Sequence, residues 1–271
     1  ASVVLAELLP QVIASISFGE TMRWNASGVA FSRPLRWYVA LLDDVVVPFE
    51  YAGIRSGRTS WGIRSLNSPE LEIPSAAAYL DVVANGGIML DVQKREQSIL
   101  AQATELAAEV GGVVPQDADL LREVANLVEY PLAIRGKFAQ EYLRLPDEVL
   151  LAVMRKHQRY LPVMKEGKLL PYFIAIANGG SLDQDQVRFG NEEVLRARYA
   201  DAAYFYDADQ RKPLEAFTPQ LATLTFQEQL GSMLEKVQRL TRLVPELADT
   251  LGLTPPETQT ALRAAELSKS D

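Results

Sequence analysis

The amino-acid sequence predicts an α+β fold, with antiparallel or mixed sheets packed against helices, followed by an all-α C-terminal segment. Runs rich in β-branched and aromatic residues lie between residues 29 and 51, and two more flank the turn Lys165-Glu166-Gly167-Lys168. Beyond Leu214 the apolar residues recur at helical spacing instead. We therefore expect an α+β domain at 1–212 and a helical segment at 213–271, in a chain of 271 residues that can bury a sizeable core.

The N-terminal quarter of the chain predicts one helix, three strands and a loop. The amphipathic run Val3–Ile16 is typical of a short helix that docks on another surface. Asp43-Asp44 predicts a tight turn between two strands. Gly53–Gly62 carries both glycines and arginines, which predicts a loop whose backbone can approach a partner closely. The predicted strands are 29–32, 35–42 and 45–51.

The middle of the chain alternates between predicted helices and strands. Glycine and proline mark the ends of these segments, since Gly111-Gly112 closes one helix and Pro131 follows another. The predicted helices are 74–84, 93–110 and 119–128, and the predicted strands are 87–91 and 132–135.

The only histidine, His157, lies in a basic segment at the end of a predicted helix. Pro146 begins this helix, and Arg155, Lys156 and His157 occupy its last turn, facing unpaired backbone carbonyls. Cations there gain roughly 0.3–1 kcal/mol from the helix dipole with no ligand present. The segment therefore has two interpretations, a helix C-terminal cap or a set of donors that face a polyanion. The hairpin that follows is predicted at 160–164 and 169–177.

Helices dominate the last third of the chain. Gly190-Asn191 is predicted to open a helix that continues to Asp209, with Glu192 and Arg196 spaced for a surface ion pair. Pro255-Pro256 breaks the chain between the last two predicted helices, 226–251 and 257–269. Because two helices with one apolar stripe need further partners, we expect the natural polypeptide to continue past residue 271.

The charge of the chain is negative overall but unevenly distributed. The formal net charge is −8, which argues against a protein that coats nucleic acid without specificity. Two basic regions flank an acidic region. The charge balance is +3 over residues 21–64, −8 over 65–154 and +4 over 155–168. A directed contact with an anion is therefore the kind of polyanion binding that the sequence allows.

Composition and missing motifs exclude several classes of site. The sequence has no cysteine and one histidine, which excludes disulfides and thiolate zinc sites and argues against a transition-metal site built by the protein alone. It contains no phosphate-binding glycine loop and no Gly-x-Ser-x-Gly nucleophile motif. It has no apolar run long enough to cross a bilayer and no basic leader, so we expect a cytoplasmic protein without a membrane partner.

A series of short sequence blocks runs along the chain: Met22-Arg23-Trp24, Phe31–Trp37, Pro48-Phe49-Glu50, Ser56–Thr59, Leu127–Pro131, Met154–Val163, Leu169–Phe173, Gly190–Arg198, Ala200-Asp201-Ala202, Phe226–Gly231 and Leu267–Asp271. In this order the blocks resemble the β subunit of bacterial-type glycyl-tRNA synthetase. One departure is Gly62-Ile63-Arg64-Ser65, where that family commonly has Gly-His-Arg-Phe. The departure removes an imidazole and an aromatic ring from this loop.

The resemblance implies one part of a cytoplasmic heterotetramer of α and β subunits that joins glycine to its tRNA with ATP. In that family the α subunit carries the adenylate-forming site and uses ATP and Mg²⁺, while the β subunit grips the tRNA. The chain would be an internal piece of β, a B3/B4-like body followed by the first helices of an HD-like domain. We therefore expect no catalytic residue, metal site or cofactor in this chain, and we expect its partners to be the α subunit, the glycine tRNA and the remainder of β.

Three hypotheses for the role of the chain follow. In the first, basic side chains contact tRNA phosphates, and the candidates are Arg58, Arg64, Arg155, Lys156, His157, Arg159, Arg196 and Arg198. In the second, the chain is an architectural module in which acids such as Glu192 and Asp201 hold Arg196 or Arg198. In the third, suggested by the likeness to an editing domain alone, the chain hydrolyses misacylated tRNA. A shared fold does not by itself imply a shared function, and glycine is too small for size-based editing to be needed. A pocket containing His157, Asn178 and a fixed water would support this third hypothesis.

Overall fold

The computed structural model describes residues 1–64, 67–179 and 183–270. These residues form both helices and small sheets, so the predicted α+β class is confirmed. They divide into two compact units, Ala1–Tyr199 and Ala200–Asp271. The domain boundary expected between residues 212 and 213 stays a prediction. Ser65 and Asp271, which belong to the sequence blocks given above, lie outside the described residues.

The first unit begins with a helix and a set of short strands. Helix α1 (Ser2–Ser15) confirms the predicted N-terminal helix, and Asp43 (φ 55°) lies in the predicted turn. Each of the strands predicted at 35–42 and 45–51 is divided into two short strands in the structure. In the second, the division falls at Pro48, which has no N–H to donate to a strand ladder. The strands are β1 (Met22–Arg23), β2 (Ala30–Phe31), β3 (Tyr38–Val39), β4 (Leu41–Leu42), β5 (Val45–Val46), β6 (Glu50–Tyr51), β7 (Ile54–Gly57), β8 (Thr59–Trp61) and β9 (Glu70–Glu72).

These strands form four small sheets. Strands β1 and β2, β4 and β5, and β8 and β9 pair as antiparallel ribbons. Strand β7 lies at the centre of the fourth sheet, parallel to β3 and antiparallel to β6. The predicted loop Gly53–Gly62 is therefore largely strand, since β7 and β8 both fall within it.

Three helices follow, of which the second and third match the predicted bounds to within two residues, whereas the first begins at Tyr79 rather than at the predicted Pro74, after a 3₁₀ turn at Ala76–Ala78. They are α2 (Tyr79–Asn85), α3 (Val92–Ala108) and α4 (Ala118–Leu127). The Asp91 carboxylate caps α3 by accepting from the N–H groups of Gln93 and Lys94, and Asp117 caps α4 by accepting from the N–H of Leu120. Each cap satisfies amides that have no partner inside the helix.

The strand predicted at 87–91 is wrong. The Arg95 guanidinium donates to the carbonyls of Met89 and Leu90, and the Met89 N–H donates to the carbonyl of Glu129. These groups are therefore engaged by a side chain and by a loop, so no strand ladder forms. The glycine and apolar residues of this segment do not reveal the arrangement, because it depends on Arg95 of the following helix.

A three-stranded antiparallel sheet lies at the centre of the first unit. Its strands are β10 (Pro131–Lys137), β11 (Leu161–Lys165) and β12 (Lys168–Asn178), in the order β10-β12-β11. Strands β11 and β12 confirm the predicted hairpin, with Glu166 (φ 50°) and Gly167 (φ 78°) in its turn. Helices α3 and α4 pack on this sheet through a core that includes Ile99, Ala103, Leu120, Val124, Leu161, Val163 and Ile174.

Between β10 and β11 the chain forms α5 (Asp147–Ala152) and a π-helical segment, Val153–Gln158. Helix α6 (Gln184–Asp209) comes after β12 and starts earlier than the predicted Gly190. The Asp183 carboxylate accepts from the N–H groups of Asp185 and Gln186, both at 3.1 Å, and this side chain starts the helix. Gly190 lies inside α6 with nothing within 4 Å of the position of a Cβ, so an alanine would fit there without a clash.

The second unit is not purely helical from Leu214 onward, which corrects the predicted all-α segment. Two 3₁₀ turns, Leu214–Ala216 and Thr218–Thr223, precede a hairpin of β13 (Thr225–Gln227) and β14 (Gly231–Ser232). Helices α7 (Met233–Leu251) and α8 (Pro255–Leu267) then pack together. The predicted start of α7 at Phe226 is wrong because Ser232 and Glu235 form a capping box that begins the helix at Met233.

Within the described ranges, the structure contains no helix with the length and apolar character needed to cross a membrane.

Candidate anion-binding site

The basic segment lies where the π-helical turn meets β11. It comprises Arg155, Lys156, His157 and Arg159. Met154, fully buried, anchors the turn in the core, and its carbonyl accepts from the Tyr160 N–H at 2.9 Å. Arg159 adopts a left-handed conformation (φ 57°), which ends the helix. Insertions of π-helix are frequent at functional sites. The local fold therefore holds four basic side chains on one firmly anchored turn.

Two members of the basic segment are ion-paired with helix α4. The Arg155 guanidinium donates to the carboxylate of Asp117, and the Arg159 guanidinium donates to that of Glu123. These arginine side chains remain 47% and 44% exposed, so the pairs are surface contacts that contribute about 0–1 kcal/mol each. The expectation that Arg155 faces unpaired helix carbonyls is therefore wrong, since an acid of another helix takes its place.

Lys156 and His157 lie between Arg155 and Arg159 in the sequence. Both side chains are exposed, and neither has a hydrogen-bond or ion-pair partner among the described residues. The ammonium of Lys156 is thus a full positive charge with three donors open to solvent. Of the basic segment, these two residues are the ones available to an anion without breaking an existing bond.

The arginines of the N-terminal strands lie apart from the basic segment. Arg58, between β7 and β8, donates to the carbonyls of Asp44 (2.9 Å) and Pro74 (3.4 Å), so it ties two loops together. Arg64 is exposed and has no side-chain partner in the part of the chain that the structure describes. No hydrogen bond or ion pair between described residues joins either arginine to the basic segment. The two predicted groups of cations are therefore not brought together by direct contacts.

The two candidate arginines of α6 differ from each other. Arg196 pairs with Glu193 rather than with Glu192, and this hydrogen bond lowers the pKa of the Glu193 carboxyl. Glu192 is unavailable because its carboxylate accepts from the Lys137 N–H at 2.9 Å, so the predicted Glu192–Arg196 pair is wrong. Arg198 is exposed and carries no ion pair or side-chain hydrogen bond to a described residue.

The residues that support the basic segment were not identified from the sequence. Asp117 and Glu123 neutralise the two arginines of the segment, and Asp117 could have been recognised as a helix start signal ahead of a periodic run. Tyr160 stacks on Phe173 (ring centroids 4.6 Å apart) and donates to the Asn191 Oδ1 at 2.6 Å. Burial raises the pKa of Tyr160 to about 12. The turn is therefore fixed by a buried, neutral phenol.

The residues named in the hydrolase hypothesis are not joined in one site. The side-chain Oδ1 of Asn178 accepts from the N–H groups of Glu129 and Tyr130, both at 3.0 Å, and its Nδ2 donates to the Glu129 carboxylate at 2.9 Å. His157 is exposed. Among the described residues, no three acids or histidines lie close enough together to hold a metal ion. Asn178 therefore has a structural role, as the link between β12 and the loop before β10.

Comparison with known proteins gives one consistent family. Residues 1–271 match the sequence profile of the family described as glycyl-tRNA synthetase beta subunit. The chain is 46% identical over 270 residues to a glycine–tRNA ligase beta subunit of Clostridioides difficile (strain 630), covering 100% of this chain and 39% of that protein. It is 44% identical over 269 residues to the corresponding protein of Moorella thermoacetica, with coverage of 99% and 39%.

A plant protein is also similar. The chain is 48% identical over 271 residues to a glycine–tRNA ligase, chloroplastic/mitochondrial 2, of Arabidopsis thaliana, covering 99% of this chain and 25% of that protein. The chain thus spans about two-fifths of the length of the two bacterial relatives and a quarter of the plant relative.

Proposed function

The chain belongs to the glycyl-tRNA synthetase beta subunit family, and we propose that it is a tRNA-contacting part of a glycine–tRNA ligase that does not itself form the adenylate. In this proposal the α subunit activates glycine with ATP and Mg²⁺, and this chain helps to hold the tRNA. Its partners are the α subunit, the glycine tRNA and the remainder of the β chain, in the cytoplasm. The names of the relatives support the reaction, glycyl-tRNA synthesis by an aminoacyl-tRNA synthetase.

The observation that carries the tRNA contact is the exposed Lys156, which has no partner among the described residues and lies on a turn anchored in the core. A net charge of −8 opposes general binding of nucleic acid, so contact requires a local group of cations. Lys156 and His157 supply open donors, and Arg155 and Arg159 stand on either side in exposed pairs that cost little to break. A phosphate that replaces Asp117 or Glu123 as the partner of an arginine could accept two parallel hydrogen bonds from the guanidinium.

The candidate residues are not equally suited to this role. Arg64 and Arg198 are exposed and unpartnered among described residues, as Lys156 and His157 are. Arg155, Arg159 and Arg196 would each have to leave a carboxylate. Arg58 would have to leave two backbone carbonyls, which makes it a structural residue in this proposal.

An architectural role is the second candidate function. The ion pairs of Arg155 and Arg159 join the π-helical turn to α4, and the Arg122–Glu96 pair joins α4 to α3. Such a network fixes the helices on the central sheet without any ligand. In this alternative the chain positions the α subunit and the rest of β, and its cations do not contact RNA. A hydrolase that removes misacylated tRNA has less support, because Asn178 is engaged in backbone contacts.

Titration of the 271-residue chain with glycine tRNA over a series of salt concentrations tests the proposal. We expect saturable binding. The logarithm of the association constant should fall linearly with the logarithm of the salt concentration, with a slope of roughly −0.7 to −0.9 for each phosphate neutralised. Binding that does not change between low and moderate salt, or the absence of binding at low salt, would favour the architectural role. A non-cognate tRNA provides the control for specificity.

A further inference from the structure

Strand β10 is the edge strand of the central sheet, and alternate residues along it face away from β12. At one end the Gly179 N–H donates to the Tyr130 carbonyl at 2.8 Å, and at the other the Phe138 N–H donates to the Pro171 carbonyl at 3.1 Å. In an antiparallel pair the hydrogen-bonded residues alternate, so the even-numbered residues of β10 pair with β12. The outward backbone groups therefore belong to residues 131, 133, 135 and 137.

One end of this open edge is closed by Gln102 of α3. Its amide Nε2 donates to the Pro131 carbonyl at 3.1 Å, and its Oε1 accepts from the Ala133 N–H at 3.0 Å. The side chain thus occupies two neighbouring backbone groups as a paired strand would. This contact prevents another strand from pairing with the first half of β10.

The other end is closed by two side chains of α6. The Arg188 Nε donates to the Arg135 carbonyl at 3.1 Å, and the Glu192 carboxylate accepts from the Lys137 N–H at 2.9 Å. Protection of an edge strand would explain both closures. It does not explain the gap between them.

The gap consists of the Ala133 carbonyl and the Arg135 N–H. No described residue bonds to either group from the open side, and both residues line a cavity of about 370 Å³. In a parallel pair of strands, the N–H of one residue donates to a carbonyl of the neighbouring strand, and its C=O accepts from the N–H two residues further along that strand. The Ala133 carbonyl and the Arg135 N–H have this spacing. The free part of the edge is therefore one amino-acid residue long.

Among the described residues that line the cavity, one cation is without an ion-pair partner. This is the exposed Lys137, whereas Arg188 is paired with Asp185, and the Glu192 carboxylate accepts from the Lys137 N–H. Glu109, which pairs with the Arg135 guanidinium, adds a carboxylate to the lining. Leu106 and Tyr172 contribute apolar surface for a side chain.

We propose that this cavity binds a free α-amino acid. Its ammonium group donates to the Ala133 carbonyl, and its carboxylate accepts from the Arg135 N–H beside Lys137. A longer peptide is disfavoured because Gln102 at one end and Glu192 at the other would have to release the backbone. The site is separate from the basic segment, and the inference does not depend on tRNA contact.

Titration of the 271-residue chain with L-leucine, followed through the backbone amide resonance of residue 135, tests the proposal. We expect a saturable shift with leucine and weaker binding, by at least about tenfold, of 4-methylpentanoate, which lacks the ammonium, and of 3-methylbutylamine, which lacks the carboxylate. No saturable shift with leucine at millimolar concentration would overturn the proposal. Tighter binding of a leucine tripeptide than of leucine would overturn it as well, because the occupant would then be a peptide strand.

A pair of variants at one position isolates the backbone donor. Arg135→Ala removes the guanidinium and keeps the N–H, whereas Arg135→Pro removes both, and proline is tolerated on an edge strand whose N–H faces outward. We expect leucine to bind Arg135→Pro at least about tenfold more weakly than Arg135→Ala, measured by calorimetry on folded protein. Equal affinities would exclude the backbone contact. If Arg135→Pro does not fold, the analogue comparison on the unmodified chain decides the matter.

Discussion

The guanidinium of Arg155 donates to the carboxylate of Asp117, and the same carboxylate caps helix α4 by accepting from the Leu120 N–H. One acid therefore fixes both the start of α4 and the direction of an arginine in the basic segment. This arrangement keeps Arg155 at the surface but neutralises its charge until a stronger anion displaces the carboxylate.

Asp117→Asn should strengthen tRNA binding. Asparagine caps a helix about as well as aspartate, so α4 is retained while Arg155 loses its ion-pair partner. We expect higher affinity at low salt and a log–log salt slope steeper by up to about 0.7–0.9, as one more phosphate is neutralised. Fluorescence anisotropy with glycine tRNA measures both quantities. The matched Asp91→Asn change at the cap of α3 has no arginine to release, and an equal effect of both changes would contradict this account.

Gly136→Ala should destabilise the first unit. A Cβ at this position would collide with the Phe173 ring, which is fully buried and stacked on Tyr160. Overpacking of this kind costs typically about 1–3 kcal/mol of unfolding free energy. Gly190→Ala in α6 meets no atom within 4 Å and should instead stabilise the chain by roughly 0.5–1 kcal/mol. Urea denaturation compares the two, and a stabilising Gly136→Ala would show that the ring can move.

Alkaline pH should destabilise the chain through Tyr160. Burial raises the pKa of Tyr160 to about 12, whereas the ordinary pKa of a tyrosine in an unfolded chain is about 10. The folded state therefore keeps a proton that the unfolded state loses, so this contribution is fully present below pH 10 and declines as pH rises toward 12. Tyr160→Phe should flatten the pH dependence of the unfolding free energy in this window. If Tyr160→Phe leaves the slope of the unfolding free energy against pH unchanged, the Tyr160 phenol is exposed to solvent in the folded state.

Ser232→Ala should weaken helix α7 of the second unit. Ser232 and Glu235 form a reciprocal capping box, and loss of a serine cap costs typically about 1 kcal/mol. Hydrogen bonds from the Ser232 backbone N–H and from its hydroxyl lower the pKa of Glu235 below the ordinary value of 4.5. The stabilisation is therefore present above that pH and is lost as pH falls through the lowered pKa. Circular dichroism between pH 3 and 7 checks both effects, with Ser268→Ala as the control, because Ser268 follows a helix end.

Local signals predicted the elements whose start and end are set by nearby residues. The β11–β12 hairpin depends on a turn with positive φ at Glu166 and Gly167, and the sequence shows that turn between two β-prone runs. The start of α7 was also readable, since Ser232 and Glu235 have capping-box spacing, but the apolar run from Phe226 led to an earlier boundary. Short-range hydrogen bonds of this kind can be recognised from the amino-acid sequence alone, because both partners lie within one helical turn.

Partners that are distant in sequence were not predictable in the same way. Arg155 and Arg159 were recognised as basic, but Asp117 and Glu123 lie more than thirty residues away and meet them only because α4 packs beside the π-helical turn. The open edge of β10 depends on Gln102, Arg188 and Glu192, which two separate helices bring to one strand. Their meeting is a property of the tertiary fold, and no spacing in the sequence reports it.

The salt dependence of tRNA binding by Lys156→Ala, compared with Lys94→Ala, tests the central claim most directly. Both changes remove one exposed lysine charge, but Lys94 lies in the first turn of α3, outside the basic segment. If the basic segment contacts tRNA, Lys156→Ala lowers the magnitude of the log–log slope by about 0.7–0.9 and Lys94→Ala leaves it unchanged. Identical slopes for both variants and the unmodified chain would contradict the proposed tRNA contact.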